Sequence, residues 1–241
     1  MIQIKLNAID STNTFLKANK SIAELPNYTV VTAEFQTEGR GQHGAKWTSE
    51  SGKNLIASVL VHDFYQKNVP DFELVIAVSV AIQEVLHTLN VPGLSIKWPN
   101  DIMSGNYKIG GILLENLHKS KHQVHTIIGL GLNVNQLHFD GIPTAGSLAL
   151  VCKREFDRQA LLEQLVNHLQ HTLSNWETRR NQVKEVYEKS LFCKGKIANF
   201  KSSNGSFEGT IVGVNEQGKL IVQQLGCAEM AYDLKEIQLI Y

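Results

Sequence analysis

The chain has 241 residues, 23 basic against 23 acidic side chains, a hydrophobic share of 43% and three cysteines. That hydrophobic share excludes wholesale disorder, and balanced charge without a basic block argues against a general nucleic-acid or membrane-surface binder. Cys152, Cys193 and Cys227 are far apart and odd in number, which argues against a disulfide scaffold and a C-x-x-C zinc site and fits a reducing cytoplasm. The length suits one large domain, or a large and a small one. The N-terminal residues alternate and carry no signal-peptide core. The longest apolar run, 74–82, is about half of the ~20 residues a membrane helix needs.

Residues 2–9 alternate as a strand does, and Asp10-Ser11-Thr12-Asn13 is a helix start, since a side-chain oxygen there can accept from a free N–H of the first turn. Residues 28–35 read as a β-rich strand. Residues 36–53 are polar and glycine-rich, a long loop of the kind that carries function. A strand over 54–61 follows. Residues 71–89 hold apolar positions at helical spacing. Residues 95–98 are a short strand stopped by Pro99. Residues 108–117 and 124–134 are apolar strands joined by a hairpin turn over 118–123. Residues 157–189 read as one helical stretch. From Gly195 onward, short strands alternate with Ser-Asn-Gly and Gln-Gly turns, the pattern of a small barrel. A domain boundary is expected near residue 191.

Three segments carry candidate chemistry. Gly39-Arg40-Gly41-Gln42-His43-Gly44 matches G-x-G-x-x-G after a strand, but Ala45-Lys46-Trp47-Thr48 does not open a helix, so a dinucleotide turn is not expected. A phosphate loop fails too, with Lys46 one place late and Trp47 where Ser or Thr would hold magnesium. The segment reads either as a flexible surface loop or as a mobile lid whose N–H groups and Arg40 close on an anion. Lys97-Trp98-Pro99-Asn100-Asp101 places a cation, an aromatic and an acid at a strand end, and Lys108 follows beside Gly110-Gly111. The third is Gly129-Leu130-Gly131-Leu132-Asn133. Glycines in a strand leave room for a flat ligand, and the Asn133 amide can both donate and accept at an adenine edge. Each is also compatible with an ordinary loop or strand end. His118, His122 and His125 lie in or near the expected turn and are not read as a metal site. His168 and His171 are placed on the exposed side of a helix. Ser147 ends a loop or caps a turn.

In order, Asp10-Ser11-Thr12-Asn13, Glu34-Phe35-Gln36-Thr37-Glu38-Gly39-Arg40-Gly41 with Trp47, Lys97-Trp98-Pro99-Asn100-Asp101, Lys108-Ile109-Gly110-Gly111-Ile112-Leu113 and Gly129-Leu130-Gly131-Leu132-Asn133 resemble the biotin–protein ligases. The resemblance covers essentially the whole chain. It implies an α+β fold, a class II synthetase-like mixed β-sheet flanked by helices over residues 1–191, followed by a small SH3-like β-barrel over 192–241.

The resemblance further implies that ATP and biotin give biotinyl-5′-AMP, from which biotin passes to a lysine of a biotin carboxyl carrier protein domain of a carboxylase. Arg40, Lys108 and Asp101 would be catalytic, Lys108 bridging carboxylate and phosphate and Asp101 orienting Arg40 or a magnesium ion. Ser11, Thr12, Asn13, Gln36, Gly39, Arg40, Lys108, Gly110 and Gly111 would bind biotin. Arg40, Gly41, Gln42, His43, Gly44, Trp47, Lys97, Asn100, Lys108 and Asn133 would bind ATP, with Trp47 covering the adenine. Mg2+ would travel with ATP rather than sit in a protein cage. The family's loop usually reads G-R-G-R-x-G-R. Gln42 and Ala45 depart from it, which predicts weaker retention of the adenylate. The ligase strand starts at Ile2, leaving no room for the DNA-binding domain of some members, so no DNA partner is expected. A free sheet edge leaves a homodimer open. The rivals are a lipoate–protein ligase and a non-catalytic binder of biotin or its adenylate.

Overall fold

The computed structural model describes residues 2–19, 21–62, 64, 70–120 and 123–241, with the backbone alone at 43, 119, 120 and 123. Its first sheet has seven strands in the order β1-β2-β3-β7-β6-β5-β4. These are β1 (Gln3–Ile9), β2 (Val30–Gln36), β3 (Leu55–His62), β4 (Leu94–Lys97), β5 (Asp101–Ser104), β6 (Tyr107–Ser120) and β7 (Gln123–Leu132). β1 and β2 are parallel and the other pairs antiparallel, so the sheet is mixed. The centre of the expected hairpin turn, residues 121 and 122, lies outside the described residues.

One face of the sheet packs on α2 (Asp71–Thr88) and α4 (Arg158–Ser174), and α5 (Trp176–Lys189) packs on those two helices. α2 is rich in valine and isoleucine, yet helical. It is buried on most sides between sheet and helices, and tertiary burial overrides its weak propensity. Glu73 in its first turn is buried and held by Arg180 and Lys184 of α5. The other face carries α1 (Thr12–Ala18), whose Leu16 packs with Val31, Leu60 and Ile127. α1 is short, so the rest of this face is left for a cavity. No helix among the described residues is long and apolar enough to cross a membrane.

Three elements differ from the sequence expectation. The 157–189 stretch is two helices, because Asn175 turns its side-chain amide onto the His171 carbonyl at 2.8 Å, ending α4, while its own carbonyl starts the next turn by accepting from Thr178. The short strand ends in a turn over 98–100 as expected, but a further strand, β5, folds back on β4 from Asp101. A short helix, α3 (Leu148–Cys152), is capped by Ser147, whose hydroxyl accepts from the Leu150 N–H at 3.2 Å. His168 is not on an open face either, since its Nε2 lies 2.6 Å from Glu84 of α2.

The C-terminal strands β8 (Ile197–Ser202), β9 (Gly205–Val214), β10 (Leu220–Gln224), β11 (Glu229–Tyr232) and β12 (Ile237–Ile240) form an antiparallel sheet in the order β11-β10-β9-β8-β12. No β11–β12 pair closes it among the described residues. Phe200, Ile211, Leu220, Val222 and Ile237 join the main core. The Trp98 indole N–H donates to the Gly218 carbonyl at 2.9 Å, tying this sheet to the β4–β5 turn.

Candidate active site

Strand register builds the floor of the site. Ile56, Gly131, Gly111, Asp101 and Lys97 are successive partners across β3, β7, β6, β5 and β4. At about 4.8 Å per strand this row is about 19 Å long. Side chains alternate, so two residues along β7 Gly129 faces the same way, partnered by Ser58 and Leu113. Above these rows lies a cavity of about 290 Å3.

The glycines are required by close approach. A Cβ at Gly131 would lie 2.6 Å from the Trp47 indole, which rests on Gly131 and Gly111. A Cβ at Gly129 would lie 2.7 Å from Asn13 Oδ1. The Trp47 Nε1 is buried without a partner among the described residues, a cost that a ligand or a shift of the ring removes.

One end of the cavity is a buried polar network. Thr12 donates to Gln36 Oε1 twice, from its backbone at 2.8 Å and its hydroxyl at 3.1 Å. Ser58 Oγ reaches Thr12 Oγ1 at 2.7 Å and Asn13 Oδ1 at 2.5 Å, and the Asn13 amide donates to Glu115 at 2.8 Å. Glu115 also pairs with Lys17 at 2.8 Å. Ser11, Thr12, Asn13 and Ser58 are all buried. Such a network fixes the orientation of each donor and acceptor, which suits recognition of a compact polar ring.

The other end is cationic. Lys108 Nζ lies 2.7 Å from Asp101 Oδ1, and Lys97 Nζ lies 3.8 Å from Oδ2 of the same carboxylate. Lys108 is also pinned by its backbone, which donates to Thr144 O at 2.7 Å and accepts from Gly146 at 3.0 Å. Burial, with the like charge of Lys108 adding to it, lowers the Lys97 pKa against the pull of Asp101. Arg40, exposed and without an ion pair among the described residues, reaches the cavity from the glycine-rich loop, as does Lys46. Within that loop residues 39–41 pair back on 45–47 in a short antiparallel arrangement. Gly41 N donates to Ala45 O at 2.7 Å, Trp47 N donates to Gly39 O at 2.9 Å, and Arg40 bridges Lys46.

The structure thus brings Ser11, Thr12, Asn13, Gln36, Arg40, Gly41, Gln42, Trp47, Lys97, Asn100, Asp101, Lys108 and Gly111 to one cavity. It does not bring the others. Gly110 points to the opposite face, against Leu132, because neighbours on a strand alternate. Asn133 is buried and donates its amide to Gly146 O at 2.9 Å, a brace for the Lys108 segment rather than an adenine reader. Gly39 lies beneath the Trp47 backbone and Gly44 is off the cavity wall, while the His43 side chain lies outside the described structure. Asn100 lines the cavity, yet its amide is spent on the Ile112 carbonyl where β5–β6 pairing ends. Asp101 is occupied by Lys108 and Lys97, not by Arg40.

Sequence reasoning missed Ser58 and Glu115. Ser58 is a lone polar residue in an apolar strand, and that oddity was the available signal; Glu115 stands beside Asn116 and gave no such signal. It also missed the cavity residues Lys46 and Leu234, the latter from the C-terminal sheet side. Asp101 is the only carboxylate lining the cavity among the described residues, and no cluster of three metal-ligating side chains occurs among them. His122 lies outside the described residues. A carboxylate already holding two ammonium groups does not fit a protein-caged cation.

Residues 6–133 match the sequence profile of the Biotin/lipoate A/B protein ligase family. The chain is 30% identical over 230 residues to the bifunctional ligase/repressor BirA of Escherichia coli (strain K12), covering 92% of this chain and 69% of the relative. It is 28% identical over 205 residues to BirA of Bacillus subtilis (strain 168), covering 82% of this chain and 62% of that relative's length. The biotin protein ligase from Aquifex aeolicus, in complex with biotin and ATP, superposes with a TM-score of 0.82 at 25% identity, covering 99% of this chain and 98% of the other. The profile spans the strands and loops that build the cavity floor, from β1 to the end of β7, and this chain belongs to the biotin/lipoate A/B protein ligase family.

Proposed function

We propose that this protein is an ATP-dependent biotin–protein ligase, acting on a lysine of a biotin carboxyl carrier domain. One observation carries the reading. A single cavity joins the Thr12–Gln36–Ser58–Asn13 network to the Lys97–Asp101–Lys108 cluster along a floor of glycines. The polar network suits the ureido ring of biotin. Ile56, Ala57, Leu113 and Leu130 give apolar walls for the thiophane and valeryl chain.

In the first step a biotin carboxylate oxygen bonds to the α-phosphorus of ATP, the bond to the bridging oxygen breaks, and pyrophosphate leaves. Two anions must meet, and Lys108 and Arg40 offset their repulsion from fixed positions. Trp47 covers the nucleotide. In the second step the neutral amine of the acceptor lysine attacks the acyl carbon. AMP leaves, an amide forms and the amine loses its proton. Mg2+ supplies charge neutralisation on the nucleotide phosphates and travels with them. We take residues 1–191 as the catalytic unit and 192–241 as a unit that closes the β4–β5 end, a reading supported by Leu234 and by the Trp98–Gly218 bond.

The test is pyrophosphate exchange into ATP with biotin, with lipoate and with neither. Exchange dependent on biotin alone is expected. Exchange with lipoate would assign the sister activity, and none with either acid in a folded protein would leave a binder.

A further inference from the structure

The adenylation just proposed expels pyrophosphate, and the glycine-rich segment has little to hold it, because Gln42 and Ala45 are uncharged and Arg40 and Lys46 are the only lysine or arginine over residues 39–47. A second cleft, of about 470 Å3, adjoins the first and shares Lys97, Trp98 and Leu234 with it. It lies against the C-terminal sheet and carries Lys201 from β8 and Lys235 from the turn before β12, beside Ser202 and Ser203. Its one carboxylate among the described residues, Glu236, accepts from the Asp233 N–H at 2.8 Å as part of that turn. No ion pair engages Lys201 or Lys235 among the described residues, whereas the neighbouring Lys219 is paired with Asp233. At the partition between the clefts, Lys97 is held by Asp101 at 3.8 Å and by the face of Tyr241, 5.0 Å from its ring centroid.

The direction of the reaction leads to this cleft. In phosphoryl transfer the attacking and leaving oxygens lie roughly in line. The polar network sits over β2, β3 and β7, so the acid's carboxylate arrives along the floor row from that side. The leaving group then points down the row toward β5 and β4, that is, toward Asp101, Lys97 and the partition. A polyanion leaving there meets Lys97 first, then Lys201 and Lys235. We propose that the second cleft is a polyphosphate subsite, which holds the β- and γ-phosphates of the nucleotide and then the pyrophosphate through Lys97, Lys201 and Lys235. The inference rests on the adenylation reading for its biological use, but the binding itself is measurable without it.

The test is binding of inorganic pyrophosphate to the full chain by titration calorimetry, for the wild type, the Lys201→Gln/Lys235→Gln double variant and the Lys201→Arg/Lys235→Arg variant. Lys5→Gln, exposed on β1 at the opposite edge of the large sheet from β4, is the charge control. Exposed ammonium–phosphate contacts are individually modest, so the double Gln variant should weaken binding roughly fivefold to tenfold, and the difference should shrink at high salt. Arginine should restore affinity and the control should match wild type. In the exchange assay the double Gln variant should raise KM for pyrophosphate and ATP and leave KM for biotin unchanged. Unchanged pyrophosphate affinity and KM would overturn the subsite, as would a raised KM for the acceptor domain alone, which would assign the cleft to an acidic protein surface. Weakened pyrophosphate binding in a protein that shows no biotin-dependent exchange would uphold the subsite and overturn the adenylation reading instead.

Discussion

Replacing Lys108 by alanine separates chemistry from binding. Its side chain is 35% exposed, and its Nζ sits 2.7 Å from Asp101, whose side chain is only 17% exposed. With an effective dielectric of about 20, a unit cation about 3 Å from a developing oxyanion contributes roughly 5–6 kcal/mol of gross attraction. Asp101 offsets part of that, and Lys97, 3.8 Å from the same carboxylate, remains in the variant to supply some of it. About 3–4 kcal/mol is left, in the range seen when one transition-state donor is removed, which is roughly 10²–10³ in rate. Single-turnover formation of the adenylate should therefore slow by about that factor, while KM for biotin, set by the network some 10–15 Å away along the floor, should change little. Folding should survive, since a partly exposed ion pair of this kind contributes on the order of 1 kcal/mol. A loss of less than about tenfold would refute the argument and make Lys108 a structural tie between β6 and the 144–146 segment.

Three further variants address the rest of the site. Ser58→Ala removes the hydroxyl that links Thr12 to Asn13 in a buried setting, which costs about 1–3 kcal/mol; KM for biotin should rise about tenfold or more at nearly constant kcat, and an unchanged KM would remove the network from biotin recognition. Gln42→Arg adds a cation at the cavity wall; hydroxylamine should trap less released adenylate from it than from wild type, and equal trapping would sink the idea. The third concerns pH. Burial lowers the folded pKa of Lys97 below 10.5, so between the two values the unfolded chain binds more protons and this group makes stability rise with pH. Over the same alkaline window the neutral amine stops attracting phosphate. KM for ATP should begin to climb at a lower pH than an ordinary lysine would give, and Lys97→Arg should abolish that limb; the same limb in both proteins would refute it.

The parts of the site that could be read from the sequence were those with a local signature. Asp10-Ser11-Thr12-Asn13 is a cap whatever surrounds it, and Ser11 caps α1. The cationic residues Arg40, Lys97 and Lys108 stand beside glycines or a strand break, and all reach the cavity. What could not be read depends on register or on distant partners. Ser58 has meaning only because β3 pairs it with Gly129, above which Asn13 sits. Gly110 and Gly111 look alike in the sequence, but alternation gives the ligand face to one alone. Asn133 looked like a reader of bases, and the residue that claims its amide is 13 positions away. The helical period across Asn175 is nearly uninterrupted, so the break there comes from one side chain competing for a backbone carbonyl.

The shared carboxylate of Asp101 explains how a cation-rich cavity stays assembled before any anion enters. Two ammonium groups close together repel, and that repulsion adds to burial, the larger cause, in lowering the pKa of Lys97. Asp101 offsets that repulsion from the β5 position next to β4, where it pairs with both lysines. On the function proposed above, arriving carboxylate and phosphate oxygens would let Lys108 exchange part of one anionic partner for another without moving far, leaving little reorganisation for the moment of reaction. It follows that Asp101→Asn should not merely weaken a salt bridge. It should leave two uncompensated cations in the empty site, lower the pKa of Lys97 further, and raise affinity for an anionic adenylate analogue while slowing turnover. Calorimetry with a non-hydrolysable acyl-sulfamoyl adenosine would read this directly, and weaker binding by the variant would show that Asp101 serves the ligand itself rather than the lysines.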